Sequence, residues 1–356
     1  MKKHALVVGA SGVTGSTLAR HLLENGWRVS GLSRGAHAEV EGVESIAVDL
    51  TSADALRTAL KGLQPSHVFF TVWSRQANER ENIRVNGAIV SNVFDALGEA
   101  MDSVEHVALV TGLKHYLGPF EAYATGAVPE TPFREEQGRQ RVDNFYYEQE
   151  DRVFAAAERH GFGWSVHRPH TVIGFAVGNA MNMGTTLAVY ATLCRHTGMP
   201  FIFPGSAMQW HGVTDMTDAA LLARQLEWAA THAEGRNQAF NIVNGDVFRW
   251  KWMWSRIAGY FGIEPVPFDG TVRPLEARMA DAAPAWREIA GKFDLAEPDI
   301  AKLASWWHTD ADLGRPMEVI TDMGKSRKAG FADFEATDEA FFRLFDRLKE
   351  ARLIPD

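Results

Sequence analysis

Ala5-Leu6-Val7-Val8-Gly9-Ala10-Ser11-Gly12-Val13-Thr14-Gly15 runs from four consecutive apolar residues into three glycines spaced three apart, and a helical pattern follows to Glu24. A short apolar run that ends at glycine reads as a strand buried on both faces. The glycines then take separate duties. Gly9 permits a sharp turn, Gly12 lets the backbone approach a pyrophosphate, and Gly15 lets helix and strand pack closely, while the helix amino terminus attracts the anion. Gly9, Gly12, Val13, Thr14 and Gly15 are therefore the expected pyrophosphate cradle of a dinucleotide cofactor.

Outward from this turn, short apolar runs alternate with helical periodicity. Strands are expected at 5–8, 29–32, 45–48, 68–72 and 107–110, with helices at 14–24, 53–60 and 83–100 between them. Strict alternation predicts an α/β fold, a Rossmann-type doubly wound parallel sheet with right-handed crossovers. A loop with Gly and Pro follows from 112 to 140, then a helix from about 143 to 160 and a sixth strand at 164–167. Beyond Pro169, helices are expected at 183–196, 217–231 and 249–261, and helical signals dominate past Pro284. The expected organisation is a dinucleotide-binding domain at 1–170 and a smaller, mainly helical lobe at 171–356 that covers the substrate, with some segments returning to the core.

A chain of 356 residues with 46% hydrophobic content can bury a large core. Its net charge of -9 carries no basic block, which argues against nucleic acid or a membrane surface as partner and for a small molecule. The lone cysteine, Cys194, forms neither an internal disulfide nor a cysteine-based zinc site, so a reducing, cytoplasmic location is expected. The opening apolar run is too short for a signal peptide, and no segment reaches the roughly 20 apolar residues that a bilayer requires.

The end of the second strand chooses the cofactor. An NAD site usually places a carboxylate there to accept from the ribose 2′-hydroxyl. This chain has Gly31-Leu32-Ser33-Arg34 instead. The Ser33 hydroxyl and Arg34 guanidinium can bind a 2′-phosphate, which favours NADPH/NADP+. Asp49 and Leu50, ending the third strand, are placed for the adenine, although a turn before Thr51-Ser52 explains Asp49 nearly as well.

Short-chain dehydrogenases, whose turn this resembles, commonly pair a tyrosine with a lysine four positions later. None of the six tyrosines has one: position +4 holds Phe120, Ala127, Glu150, Asp151, Cys194 and Glu264 in turn. The lysine candidate is Lys114, in Thr111-Gly112-Leu113-Lys114-His115-Tyr116 at the carboxyl end of the fifth strand, where catalytic groups belong. The tyrosine candidate is Tyr146, in Asn144-Phe145-Tyr146-Tyr147-Glu148-Gln149-Glu150-Asp151.

These two segments resemble the signature of the progesterone 5β-reductase and iridoid synthase group of enone reductases, within the extended short-chain dehydrogenases. Trp164-Ser165-Val166-His167-Arg168-Pro169, Gly174-Phe175, Met181-Asn182, Phe240-Asn241, Asn244 to Phe248 and Trp306-Trp307 extend the likeness over essentially the whole chain. The resemblance implies that Tyr146 is the catalytic tyrosine and Lys114 its lysine. It places Val72, Trp73, Val110, Val172, Asn179, Ala180 and Met181 near the cofactor, and Phe120, Trp73, Asn182 and His308 near the substrate. It also implies reduction of the C=C bond of α,β-unsaturated carbonyl compounds, in a homodimer. Physically, hydride arriving at the β-carbon pushes charge onto the carbonyl oxygen. Tyr146 can donate to that oxygen while a cationic Lys114 nearby favours the charge.

Plant members often carry Phe where this chain has His308, so steroid or iridoid specificity is not carried over. Two readings stay open beside the enone reductase. One is a carbonyl reductase or a sugar-nucleotide epimerase or dehydratase on the same fold, against which the missing +4 lysine counts. The other is a non-catalytic NADP(H)-sensing regulator. Trp250 and Trp254 share a helical face and read as core. His167 and His170, read as lying in an extended loop, lack further ligands at metal spacing, so no metal is expected.

Overall fold

Each apolar run finds its place beside a parallel neighbour. The computed structural model describes residues 3–35, 40–119, 129–178 and 181–356. Strands β1 (His4–Val8), β2 (Arg28–Ser33), β3 (Glu44–Ala47), β4 (His67–Phe70), β5 (His106–Val110), β6 (Gly163–Pro169) and β7 (Gln238–Ile242) form one sheet in the order β7-β6-β5-β4-β1-β2-β3. Every pairing in it is parallel. The order reverses between β1 and β4, and ligands of such sheets bind outside the carboxyl ends of strands at that point.

Helices α1 (Val13–Glu24), α2 (Ala53–Ala59), α3 (Glu79–Leu97), α4 (Lys114–Leu117) and α5 (Phe145–His160) connect the strands. The start of α3 is fixed by Asn78, whose side chain accepts from the Glu81 amide at 3.0 Å, with Glu79 and Glu81 favourable to the helix dipole in the first turn. Its buried positions, Val85, Ile89, Val90, Val93, Phe94 and Leu97, recur at three- and four-residue steps. They meet Leu6, Val8, Phe70, Leu109 and Val153 in one core cluster. Each such buried side chain is worth about 1.5–3 kcal/mol over exposure.

By contacts the chain divides into two units. The first comprises Met1–His170, Ala220–Ile242 and Asp322–Asp333, and the second Thr171–Ala219, Val243–Thr321 and Phe334–Asp356. The second is mainly helical, and its core is aromatic: Trp254 stacks on Phe201 at 4.0 Å, Trp250 is buried, and Trp252 is left exposed. The shared face of Trp250 and Trp254 is core, as their spacing predicts.

Four expectations need correcting. The fourth strand ends at Phe70, so Val72 lies in the loop beyond it. The 112–140 stretch contains α4, which Lys114 opens. Thr217–Asp218 are extended and pair with Val172–Ile173, and the helix begins at Ala219. His167 sits within β6, fully buried, with its ring nitrogens paired to Gln225 Oε1 at 2.8 Å and Ser165 Oγ at 2.9 Å. No helix among the described residues is long and apolar enough to cross a membrane.

Buried imidazoles make the fold sensitive to acid. Burial holds His106 and His115 down at about 3 and His167 at about 4, against 6.5 for an ordinary histidine. All three stay neutral in the folded state, whereas the unfolded chain takes up protons below about 6.5. The stabilising contribution is therefore complete above pH 6.5 and is lost as pH falls toward 4 and 3, with a limiting slope of roughly 4 kcal/mol per pH unit for three groups. Urea midpoints should drop steeply between pH 7 and 5; a midpoint flat across that window would contradict neutral burial.

Candidate active site

The glycine turn has the shape a dinucleotide requires. Gly9 takes φ +95, and a Cβ there would lie 2.6 Å from Val72 Cβ. A Cβ on Gly15 would lie 2.1 Å from the Gly9 carbonyl oxygen, so helix and strand approach closer there than any side chain allows. Gly12 begins α1 in extended conformation with no side-chain cap, which leaves first-turn N–H groups available to an anion. Val13 is buried and Thr14 is half-buried.

Beside the turn lies a small cleft lined by Ala10, Gly31, Ser33, Val40 and Val43. The Ser33 hydroxyl donates to the Gly35 carbonyl at 2.5 Å, and Arg34 next to it is exposed. Asp49 accepts from the Thr51 amide at 2.9 Å and the Thr51 hydroxyl at 2.8 Å, and these bonds, helped by Arg34, hold its carboxyl below the usual range. The turn reading of Asp49 is thus realised. The Leu50 side chain belongs to the core.

Val72, packed on Gly9, is followed by Trp73, and this pair joins the turn to the lysine. The Lys114 ammonium lies 5.1 Å from the Trp73 ring centroid and 5.1 Å from that of Phe145, and the two rings stack at 5.3 Å. Aromatic faces attract a cation by about 0.5–2 kcal/mol each. Two buried asparagines of α3 hold the Trp73 loop: Asn86 Oδ1 accepts from the Ser74 amide at 2.7 Å, and Asn82 Oδ1 from the Gln76 amide at 2.8 Å.

Tyr146 stands in the first turn of α5, buried, with its ring 4.3 Å from Phe145. Its hydroxyl reaches the carboxyl end of β5: a Cβ on Gly112 would be 3.3 Å from it. Helix α5 presses closely on α3, since a Cβ on Gly87 would lie 2.7 Å from Glu148 Cγ. The amino terminus of α5 is tied down twice, by Glu79 Oε1 accepting from Phe145 N at 2.7 Å and by Asn144 Oδ1 accepting from Tyr146 N at 3.0 Å. Two bonds join this helix end to α4. Asn144 Nδ2 donates to the Lys114 carbonyl at 2.8 Å, and the Tyr147 hydroxyl to the His115 carbonyl at 2.6 Å.

Glu150, at the position where a +4 lysine would stand, faces a buried network instead. It meets Arg139 at 2.9 Å and Arg168 at 3.4 Å, and Arg168 in turn donates to the Tyr116 hydroxyl at 3.2 Å. That hydroxyl donates to Asn241 Oδ1 on β7 at 2.6 Å. Arg168, Glu150 and Asn241 therefore brace the back of α4, which accounts for Arg168 and Asn241, singled out by family resemblance, and for Glu150 at the +4 position. Glu150→Ala removes the ion-pair partner of buried Arg168 and should cost about 3–5 kcal/mol, visible as a fall of several degrees in Tm. An unchanged Tm would show that the network does not brace the fold.

Val110 is half-buried at the end of β5. In the second unit, Val172 pairs with Thr217, and Met181 is exposed. Asn182 is fully buried; its amide accepts from Gly184 N at 3.1 Å and donates to the Gly174 carbonyl at 2.6 Å, so it caps a helix. His308 is half-buried, and its Nδ1 has no hydrogen-bond partner. Phe120, Asn179 and Ala180 lie outside the described residues. A surface groove of the second unit, lined by Val213, Val247, Phe248 and Trp252, holds none of the expected site residues. Sequence reading missed Asn82, Asn86 and Asn144. Asparagine inside a helical pattern, or just before one, was the available signal.

Residues 51–355 match a family described as the PRISE-like Rossmann-fold domain. The chain is 35% identical over 363 residues to an (S)-8-oxocitronellyl enol synthase of Camptotheca acuminata, covering 99% of this chain and 93% of that protein. It is also 35% identical over 362 residues to a 3-oxo-Delta(4,5)-steroid 5-beta-reductase of Arabidopsis thaliana, again covering 99% and 93%. Among solved structures, an epimerase of Methanothermobacter thermautotrophicus superposes with a TM-score of 0.69 at 16% identity, covering 98% of this chain and 93% of that one. The UDP-glucose 4-epimerase of Thermus thermophilus, solved with NAD, gives 0.65 at 17% identity, covering 98% and 99%. At such identities the likeness speaks for the fold alone.

Proposed function

The chain belongs to the PRISE-like Rossmann-fold family, and from that premise we propose that it is an NADPH-dependent reductase of the C=C bond in α,β-unsaturated carbonyl compounds. The observation that carries this reading is the fastening of Lys114 and Tyr146, from two separate elements, through one side chain at the carboxyl end of β5. The +4 position of Tyr146 is filled by Glu150, committed to Arg139 and Arg168, so a lysine of the usual dehydrogenase pair has no place there.

The Gly9–Gly15 turn fits the pyrophosphate, because its backbone approaches where a Cβ would collide. Arg34, exposed at the end of β2 with no carboxylate beside it on that strand, would take the 2′-phosphate. NADPH when bound supplies the hydride that adds to the substrate β-carbon, leaving as NADP+. Tyr146 donates its hydroxyl hydrogen bond to the carbonyl oxygen as charge develops there, and the Lys114 cation, held between two rings, stabilises that charge. A proton added at the α-carbon completes the saturated carbonyl product. Val72 and Trp73 would line the nicotinamide side.

The test follows NADPH and NADH oxidation with cyclic enones, enals, saturated ketones and sugar nucleotides. Consumption of NADPH with the enones or enals, giving saturated carbonyl products by mass spectrometry, is expected. Turnover of saturated ketones or sugar nucleotides in their place would overturn the reading, and tight NADP(H) binding with no turnover at all would favour a sensor.

A further inference from the structure

We propose that Asn144 is a positioning residue that sets Lys114 against Tyr146, a role that rests on the reading of that pair as the reacting groups. A lysine four residues after a tyrosine is registered by the helix itself. Here the lysine arrives from 32 positions earlier (146 − 114), on a one-turn helix of its own, and something must register it across the gap. Asn144 spans that gap. Its Oδ1 accepts from the Tyr146 amide at 3.0 Å, its Nδ2 donates to the Lys114 carbonyl at 2.8 Å, and the side chain is 4% exposed.

The choice of residue type supports the role. Helix capping alone is served by Ser, Thr or Asp as well as by Asn. Only the amide carries an acceptor and a two-hydrogen donor on separate atoms, so only Asn caps α5 and tethers α4 at the same time. Trp73 and Phe145 then fix the ammonium end of the residue whose carbonyl Asn144 holds. The bond from Tyr147 to the His115 carbonyl keeps α4 docked if the Asn144 tether is cut, so loss of the tether should shift Lys114 without unfolding the site.

Asn144→Ser and Asn144→Asp each keep a capping oxygen and remove the donor to Lys114. Asn144→Ser should melt close to the wild type and keep KM for NADPH while kcat for an enone falls roughly 10- to 100-fold, the scale of a misplacement near 1 Å. Asn144→Asp should lose kcat likewise but melt lower, because it sets a carboxylate oxygen against the Lys114 carbonyl at a buried site. In a Lys114→Ala background the same substitutions should cost less than about twofold, because Asn144 acts through Lys114. Reductive 13C-methylation gives a readout independent of turnover: the Lys114 dimethylamine resonance, assigned by Lys114→Arg, should be shifted upfield by the two rings and relax toward the bulk lysine signal in Asn144→Ser. Wild-type kcat in the Asn144 variants, a full additional loss in the Lys114→Ala background, or an unmoved resonance would overturn the proposal. A wild-type protein that reduces no enone would fail the functional reading instead, and the resonance would still decide whether Asn144 positions Lys114.

Discussion

Tyr146→Phe should lower kcat for enone reduction by about 10²- to 10³-fold, the usual effect of deleting one donor to a developing oxyanion, while NADPH binds as before. The substitution removes one oxygen and keeps the ring that packs 4.3 Å from Phe145, so the amino terminus of α5 and its ties to Glu79, Asn144 and Lys114 should survive. The loss should fall on kcat and kcat/KM alike, because the bond matters most once charge has reached the carbonyl oxygen. Steady-state rates on a cyclic enone, with cofactor affinity from fluorescence titration, decide it. A variant with wild-type kcat would remove Tyr146 from the chemistry.

Gly15→Ala should be the most damaging change in the cofactor cradle. Its methyl would lie 2.1 Å from the Gly9 oxygen and 2.7 Å from Thr71 Oγ1. The backbone oxygen has no freedom to yield, since Gly9 also donates to Leu32 O at 2.9 Å and its Cα faces Val72. The turn must therefore open, at an overpacking cost of about 1–3 kcal/mol or more, and NADPH affinity should fall by roughly 100-fold, equivalent to about 2.7 kcal/mol. Gly259→Ala is the matched control: it lies in the helix Trp250–Phe261, and a methyl there meets nothing within 4 Å. That change should be neutral or stabilising by about 0.5–1 kcal/mol. Gly15→Ala with wild-type affinity would show that the close approach is not what shapes the cradle.

What the chain discloses about itself follows the range of the interactions involved. The turn from Gly9 to Gly15 and the strands from β1 to β6 were legible because each is a local pattern, and the structure moved their ends by only a few residues. Strand β7 was not foreseen. Gln238-Ala239-Phe240-Asn241-Ile242 has no long apolar run, and it is a strand only because β6, some 70 positions earlier, offers it a parallel partner. The return of 220–242 and 322–333 to the first unit is equally non-local.

The candidate site divides in the same way. No spacing rule leads from Lys114 to Tyr146: position in the fold made each a candidate, and family resemblance paired them. Asn144, which ties them physically, looked like an ordinary residue in the first turn of a helix expected from about 143; the structure makes it the N-cap. Asn82 and Asn86 are poor interior helix formers that serve the loop carrying Trp73, a purpose that is visible only in three dimensions.

The most direct measurement of the central claim is the destination of a label. With NADPH deuterated at C4 of the nicotinamide and a cyclic enone as substrate, the account predicts a saturated ketone carrying one deuterium at the β-carbon, located by NMR, and none at the carbonyl carbon. Deuterium on the carbonyl carbon of an allylic alcohol would contradict it.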